Sequence, residues 1–446
     1  MDLVDSLSSN THSHSVVELS LNTCFRRGYS SLFKAIADYQ PEEAKKNLAK
    51  LAAPYLSEPV QRPFWLLGVD VTPVSRPYAL RIEDRGYVYQ PNPIRSNKPI
   101  TIGHQFSDVF ALPERTRPAG AVHTPAKLNN RVIPLSTERV KSRDDKEMVG
   151  AKQIRTLLED EEMPFHNRLC AEVMDSSYSK PAYLEANRDN SKLVTIVRVR
   201  SNRIFYRQPG SSDHYEKRGH PTWYGKSFSL KDTHTWSSPD EKVTTAFTSY
   251  RGRVYRVEIQ AWFDLLMRGE RKPTLLLMQD YPFTLVRICL YNGQGEMAYQ
   301  NPMWLIVMGE ERRKLSLIDV YEAYKQRYDI EHFFRFGKQR MLLTHYQTPE
   351  VEHEGKWWYL VHLAYLQLWV ARQYANNLPH PWERYLRVMK DKCPSPAMVQ
   401  RDFGRIIRLF GTPSGIPKQR GKSAGRRKGA VLAVRARQPV VFKHQI

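Results

Sequence analysis

The sequence predicts an α/β protein, with a mixed sheet flanked by helices, a helical region before it, a β-rich insertion within it and a basic tail after it. Three observations carry this. Phe64-Trp-Leu-Leu-Gly-Val69 is a continuous apolar run and Leu169-Cys-Ala-Glu-Val-Met174 a second, mostly apolar one, the pattern of buried strands, and each ends at an aspartate, Asp70 and Asp175. Between about Ser201 and Arg313 the texture changes to Gly, Pro, Ser, Tyr and Trp punctuation with short β-like runs. From Leu315 to about Tyr374 the apolar positions return to helical spacing.

In chain order, residues 1–60 form a helical N-terminal region after a start rich in Ser, Thr and His. Glu42 to Tyr55 carries Leu48, Leu51, Ala52 and Tyr55 on one side and Lys45, Lys46 and Lys50 on the other. Residues 61–200 hold the first part of the sheet. The strand ending at Asp70 is followed by Tyr78 to Ile82, Gly86 to Tyr89 and Pro99 to Gly103, alternating segments that suit antiparallel partners. Arg115 to Lys146, rich in Pro, Arg and Lys, reads as a long basic loop, and Ala151 to Pro164 as a helix. The strand ending at Asp175 and a third, Lys192 to Arg200, follow. Residues 201–313 are the β-rich insertion, with strands at Val254 to Phe263, Phe283 to Tyr291 and Met303 to Met308 and a hairpin signal at Asn292-Gly293. Residues 314–395 are the second part of the sheet domain, with long helices from Leu315 to about Tyr374. The last segment, 396–446, reads as a basic tail. Phe403 to Ile446 has no Asp or Glu and eleven Lys or Arg, a composition expected to stay disordered until it meets phosphates.

The whole chain narrows the function classes. Its 446 residues carry 68 Lys and Arg against 46 Asp and Glu, a net charge of +22 that points to a polyanionic partner. Four cysteines, Cys24, Cys170, Cys289 and Cys393, form no C-x-x-C pair, which argues against a zinc site or a disulfide framework and for a reducing cytosol. The most apolar segment, Trp357 to Ala371, is interrupted by His362 and Gln367 and is too short to span a bilayer, so no membrane is expected. No P-loop indicates ATP-driven chemistry.

The densest chemical signal is Tyr324-Lys-Gln-Arg327-Tyr-Asp-Ile-Glu331-His-Phe-Phe-Arg-Phe-Gly-Lys338. At about 100° per residue, Tyr324, Arg327, Glu331 and Lys338 fall within an arc of about 60° on one helix. The stripe offers a carboxylate for a metal, two cations for phosphate oxygens and an aromatic ring. The plain alternative is a solvated face with i,i+4 ion pairs. Likewise Asp70 and Asp175 are each open to reading as a turn former or helix cap. Together, however, two strand-end carboxylates and one helix-borne carboxylate form a cluster that repels itself unless cations occupy it. The natural occupants are two Mg²⁺.

This spacing, Tyr324-x2-Arg327-x3-Glu331-x6-Lys338, resembles the YREK signature of bacterial DDE insertion-sequence transposases, and the order of elements resembles their ribonuclease-H-like catalytic domain. The resemblance covers about residues 64–375. It implies that Asp70, Asp175 and Glu331 are catalytic and hold two Mg²⁺, with Mn²⁺ as substitute. It also implies that Tyr324, Arg327 and Lys338 bind DNA. Where the family shows Asp-x-Gly and an aromatic, this chain has Asp175-Ser-Ser177-Tyr178. The partners implied are double-stranded DNA, as transposon end and target, and a second copy in a homodimer assembled on DNA, in a bacterial cytoplasm at the nucleoid. An aromatic from the insertion stacks on a flipped base in some relatives, and Trp223, Trp236 and Trp262 are candidates here. The alternatives are a non-catalytic DNA-binding regulator derived from a transposase, or a nuclease of the same fold.

Overall fold

The computed structural model describes residues 1–40, 48–89, 99–115, 131–210, 223–249, 252–269, 278–375, 394–411, 414–421, 425, 427–431 and 434–443. Eleven strands form one sheet. They are β1 (Trp65–Ser75), β2 (Arg85–Tyr89), β3 (Ile100–Ala111), β4 (Ile133–Val140), β5 (Cys170–Met174) and β6 (Leu193–Val199), then β9 (Glu241–Thr248), β10 (Val254–Leu265), β11 (Phe283–Tyr291), β12 (Met303–Met308) and β13 (Val440–Val441). Two short strands, β7 (Ile204–Tyr206) and β8 (Ser227–Ser229), pair with each other. The order is β13-β2-β3-β1-β5-β6-β12-β11-β10-β9, with β4 also on β3. Within it, β3 runs antiparallel to β1, while β1, β5 and β6 run parallel. This is the ribonuclease-H-like arrangement. The parallel strands are covered on both faces, which is why their sequences are mostly apolar; the buried Glu172 on β5 accepts hydrogen bonds from the Tyr183 and Thr195 hydroxyls.

Strand alternation sorts the two cores. On β1, Leu66 and Val74 join the core shared with the late helices, whereas Leu67 and Val69 join the opposite one. The helices are α1 (Asp2–Ser8), α2 (Tyr29–Asp38), α3 (Lys146–Glu159), α4 (Pro181–Ala186), α5 (Leu317–Gln326), α6 (Tyr328–Arg340), α7 (Val351–Ala371) and α8 (Pro396–Leu409). A buried network ties α7 to the sheet: Glu354 pairs with Arg76 at 3.0 Å and His104 at 2.5 Å. No helix among the described residues is long and apolar enough to cross a membrane. Cys24, Cys170 and Cys289 are unpaired and buried, and Cys393 lies outside the described residues.

Several segments differ from the sequence expectation. Asp70 does not end its strand; β1 continues to Ser75 because β3 accompanies it on one side to the end. The basic loop expected over 115–146 contains β4, whose Ile133 and Leu135 alternate into the core, and residues 116–130 lie outside the described residues. The strands of 201–313 that follow β8 continue the same sheet, β12 pairing antiparallel with β6 through Trp304↔Val199. The stripe expected on one helix spans two, α5 and α6. They meet at Arg327, where i→i+3 bonds replace the α-helical pattern: Arg327 N–H to Tyr324 O at 3.1 Å, and Ile330 N–H to Arg327 O at 3.0 Å.

The tail is also more structured than its composition suggests. Pro396–Leu409 is an amphipathic helix, α8, with Val399, Phe403, Ile406 and Ile407 buried at helical spacing against α7. Beyond it the chain is docked twice. The Lys418 ammonium donates to three backbone carbonyls, those of Ser20 (2.9 Å), Phe25 and Arg27 (2.6 Å). Further on, β13 adds in parallel to the edge of β2. Of the N-terminal helix expected over 42–55, residues 41–47 lie outside the described residues. Leu48 and Ala52 are buried, but Leu51 and Tyr55 are exposed.

Candidate functional site

The site forms where the pairing of β1 with β5 stops. The β1–β5 pairing stops at Gly68↔Val173, so Asp70 lies two residues past the last paired position, and Asp175 directly follows the last residue of β5. Asp70 shares the strand face of Leu66 and Val74, the face covered by α6 and α7. Gly68, on that same face, lets α6 approach. A Cβ there would stand 2.5 Å from Ile330 Cδ1 and 2.8 Å from Leu112 Cδ1. The residue after Ile330 is Glu331, which this close packing brings over the sheet edge. A 2.7 Å ion pair from Arg115 to the buried Asp329 fixes the start of α6.

Arg327 joins the carboxylates. Its Nη1 lies 3.3 Å from Asp70 Oδ2 and its Nη2 lies 3.0 Å from Glu331 Oε1, so one arm of the guanidinium goes to each. The arm to Glu331 is the i,i+4 ion pair of the plain reading; the arm to Asp70 crosses to another element. Asp175 is a cap as well: its Oδ1 accepts from Ser177 N–H (2.8 Å) and from Ser177 Oγ (2.7 Å). The serine that departs from the family's glycine thus supplies a second donor to Asp175.

The electrostatics follow from burial and crowding. Burial pushes the Asp70 carboxyl up to about 6; Arg327 pulls it back, while Asp175 and Glu331 push it further up. Burial works against Arg327, but Asp70, Tyr324 and the other two carboxylates outweigh it and hold its charge more firmly than usual. Tyr324 is buried, and that burial raises its phenol against the pull of Arg327 and Arg198. Lys338 is half-buried and makes no hydrogen bond or ion pair among the described residues. Burial lowers its ammonium, with Asp70 and Asp108 resisting.

Asp108 was not singled out from sequence. It stands directly across from Asp70 in the β1–β3 register and is fully buried. It accepts the Trp358 indole N–H at 3.2 Å, and His362 Nε2 stands 3.1 Å away without hydrogen-bond alignment. Its only sequence signal is an acid inside the apolar alternation of Phe106, Asp108 and Phe110.

A cavity of about 470 Å³ opens beside Glu331, between α5–α6 and the added strands. Arg198, Phe247, Tyr299, Tyr324 and Arg327 contribute to its walls. The tryptophans proposed for base stacking are not in its lining. Trp262 is core, on the sheet face away from Asp70, and Trp236 packs against that same core; their indole N–H groups donate to Ser237 O and Ser229 O. Trp223 is 40% exposed.

The structure therefore brings Asp70, Glu331 and Arg327 into contact, with Asp175, Tyr324 and Lys338 around them. Among the described residues, no three His, Cys, Asp or Glu side chains are arranged to hold a metal ion, and the guanidinium of Arg327 lies between two of the three candidate ligands. Their chemistry, hard carboxylate oxygens with Asp70 raised by burial and further by its acidic neighbours, suits a hard divalent cation.

A family model described as DDE superfamily endonuclease matches residues 2–260, which include Asp70 and Asp175 and end before Glu331. No curated protein matches the chain.

Proposed function

Because this chain belongs to the DDE superfamily of endonucleases, matched over more than half its length, we propose that it is a Mg²⁺-dependent DNA transposase. It would cleave the phosphodiester at each transposon end and join the freed 3′-hydroxyl to target DNA. Nucleases of this superfamily act on nucleic acid and typically use divalent metals. The observation that carries the finer reading is the approach of Glu331, from a helix beyond the matched region, to Asp70 across the sheet edge, with Arg327 touching both.

In this reading Asp70, Asp175 and Glu331 hold the divalent ions, which when bound supply charge for an in-line displacement at phosphorus. The chain's own residues do the rest. Lys338 offers an ammonium uncommitted to any ion pair among the described residues, suited to a phosphate oxygen as a point charge. Arg327 offers a planar fork for two oxygens. Tyr324 backs Arg327 from the cavity wall. Ser177 fixes the orientation of Asp175 through its two hydrogen bonds. Double-stranded DNA and a homodimer assembled on it complete the proposal, since joining two ends needs two sites.

The test is strand cleavage of a labelled element-end duplex with Mg²⁺, comparing wild type with Glu331→Gln. Loss of a group that stabilises transition-state charge is worth several kcal/mol, so cleavage should fall by at least about a hundredfold. Equal cleavage removes Glu331 from the site. The closed contact of Arg327 with two carboxylates is the observation that favours a non-catalytic DNA-binding regulator instead; absence of cleavage by wild type would support it. A nuclease that cuts without joining would give cleaved but no joined product.

A further inference from the structure

We propose that Arg327 is a built-in counter-ion that keeps Asp70 and Glu331 closed against a divalent ion until substrate phosphate draws its guanidinium away. The proposal rests on the reading that these two carboxylates are metal ligands, and adds a regulation of that site.

The geometry is specific. One guanidinium reaches two carboxylates on different elements, Asp70 on β1 at 3.3 Å and Glu331 on α6 at 3.0 Å. A surface i,i+4 pair explains the second contact but not the first. The Arg327 side chain is 16% exposed, and Asp70 is 20% exposed, so solvent screens this bridge less than a surface pair. The residue sits at the joint between α5 and α6, with φ −49° and ψ −30°. Beside it the cavity of about 470 Å³ is lined by Arg198, Tyr324 and Arg327 itself, which gives the guanidinium an open space to enter.

The exchange balances in charge. As the structure stands, one cation neutralises part of a three-carboxylate cluster. A phosphodiester oxygen pair matches the same planar fork and competes for it. Once the guanidinium pairs with phosphate, Asp70 and Glu331 lose their counter-ion and regain affinity for a divalent cation. Binding of DNA and loading of metal then reinforce each other, and reciprocally so. The protein without DNA would hold metal weakly, which limits cleavage away from substrate.

The experiment is calorimetric titration of the full chain with Mn²⁺ and with Mg²⁺ at pH 8, without DNA, for wild type, Arg327→Gln, Arg327→Lys and the double variant Arg327→Gln with Glu331→Gln. We expect Arg327→Gln to bind about tenfold tighter than wild type, or about 1.4 kcal/mol. Arg327→Lys, a point charge able to satisfy one carboxylate at a time, should fall between. Equal or weaker binding by Arg327→Gln overturns the counter-ion role. If Arg327→Gln loses its folded circular dichroism, Arg327→Lys decides by the same comparison. The double variant separates the two claims: if it binds as tightly as Arg327→Gln, the ions bind elsewhere and the metal-ligand reading fails. No detectable binding by any of the four overturns both.

Discussion

Replacing Asp70 by Asn should stabilise the metal-free protein while abolishing cleavage. Asp70 is held at about 6 in the folded chain against about 3.9 for an unfolded aspartate, so its ionisation opposes folding. The sign follows from linkage. Below about pH 4 the carboxyl is protonated in both states and costs nothing. Between about pH 4 and 6 only the unfolded state releases its proton, and stability is lost. Above about pH 6 the full cost is present. A shift of about two pH units corresponds to about 3 kcal/mol, which a neutral amide of the same shape recovers. At about 2.1 cal/mol/K per residue, a chain of 446 residues unfolding as one unit gains about 3 °C in Tm. The assay is thermal unfolding with chelator at pH 8 and pH 4, with circular dichroism as readout. Asp70→Asn should melt higher at pH 8 and with wild type at pH 4. A variant that melts no higher at pH 8, or whose advantage persists unchanged at pH 4, refutes the claim that crowding and burial of this carboxylate are stored against the fold.

Two more outcomes follow from packing and charge. Gly68→Ala places a methyl against Ile330 and Leu112 and should cost about 1–3 kcal/mol in urea unfolding, with reduced cleavage because Ile330 precedes Glu331; wild-type stability would contradict the close approach of α6 to β1. Truncation after Gly411 removes nine Lys and Arg together with β13. It should weaken duplex binding and flatten the slope of log K against log salt, and an unchanged slope would show that the tail makes no phosphate contact.

Much of the fold was legible because buried parallel strands leave a plain mark: a mostly apolar run and then an acid, as at Asp70 and Asp175. The contact of Glu331 with Arg327 was legible from their i,i+4 spacing. Three things were not. Whether Asp70 ends its strand depends on β3, a partner far along the chain, and local pattern does not report it. Helix α8 was hidden because the count of charges over 403–446 outweighed the four apolar positions spaced along its own turns. The assignment of Arg327 to phosphate follows from its fork, but its two carboxylate contacts depend on how α6 lies over β1, which Gly68 sets.

The late position of Glu331 has a consequence in time. The chain supplies Asp70 and Asp175 early, then adds β9 through β12 before it delivers Arg327 and Glu331. At about 5–20 residues per second, the stretch from Asp175 to Glu331 takes on the order of ten seconds to synthesise. Throughout that interval a nascent chain has two of the three carboxylates, no guanidinium between them and no helix across the sheet edge. On the proposed reading, a growing or prematurely ended polypeptide of this sequence carries Asp70 and Asp175 without the glutamate that completes the centre, and would not cut.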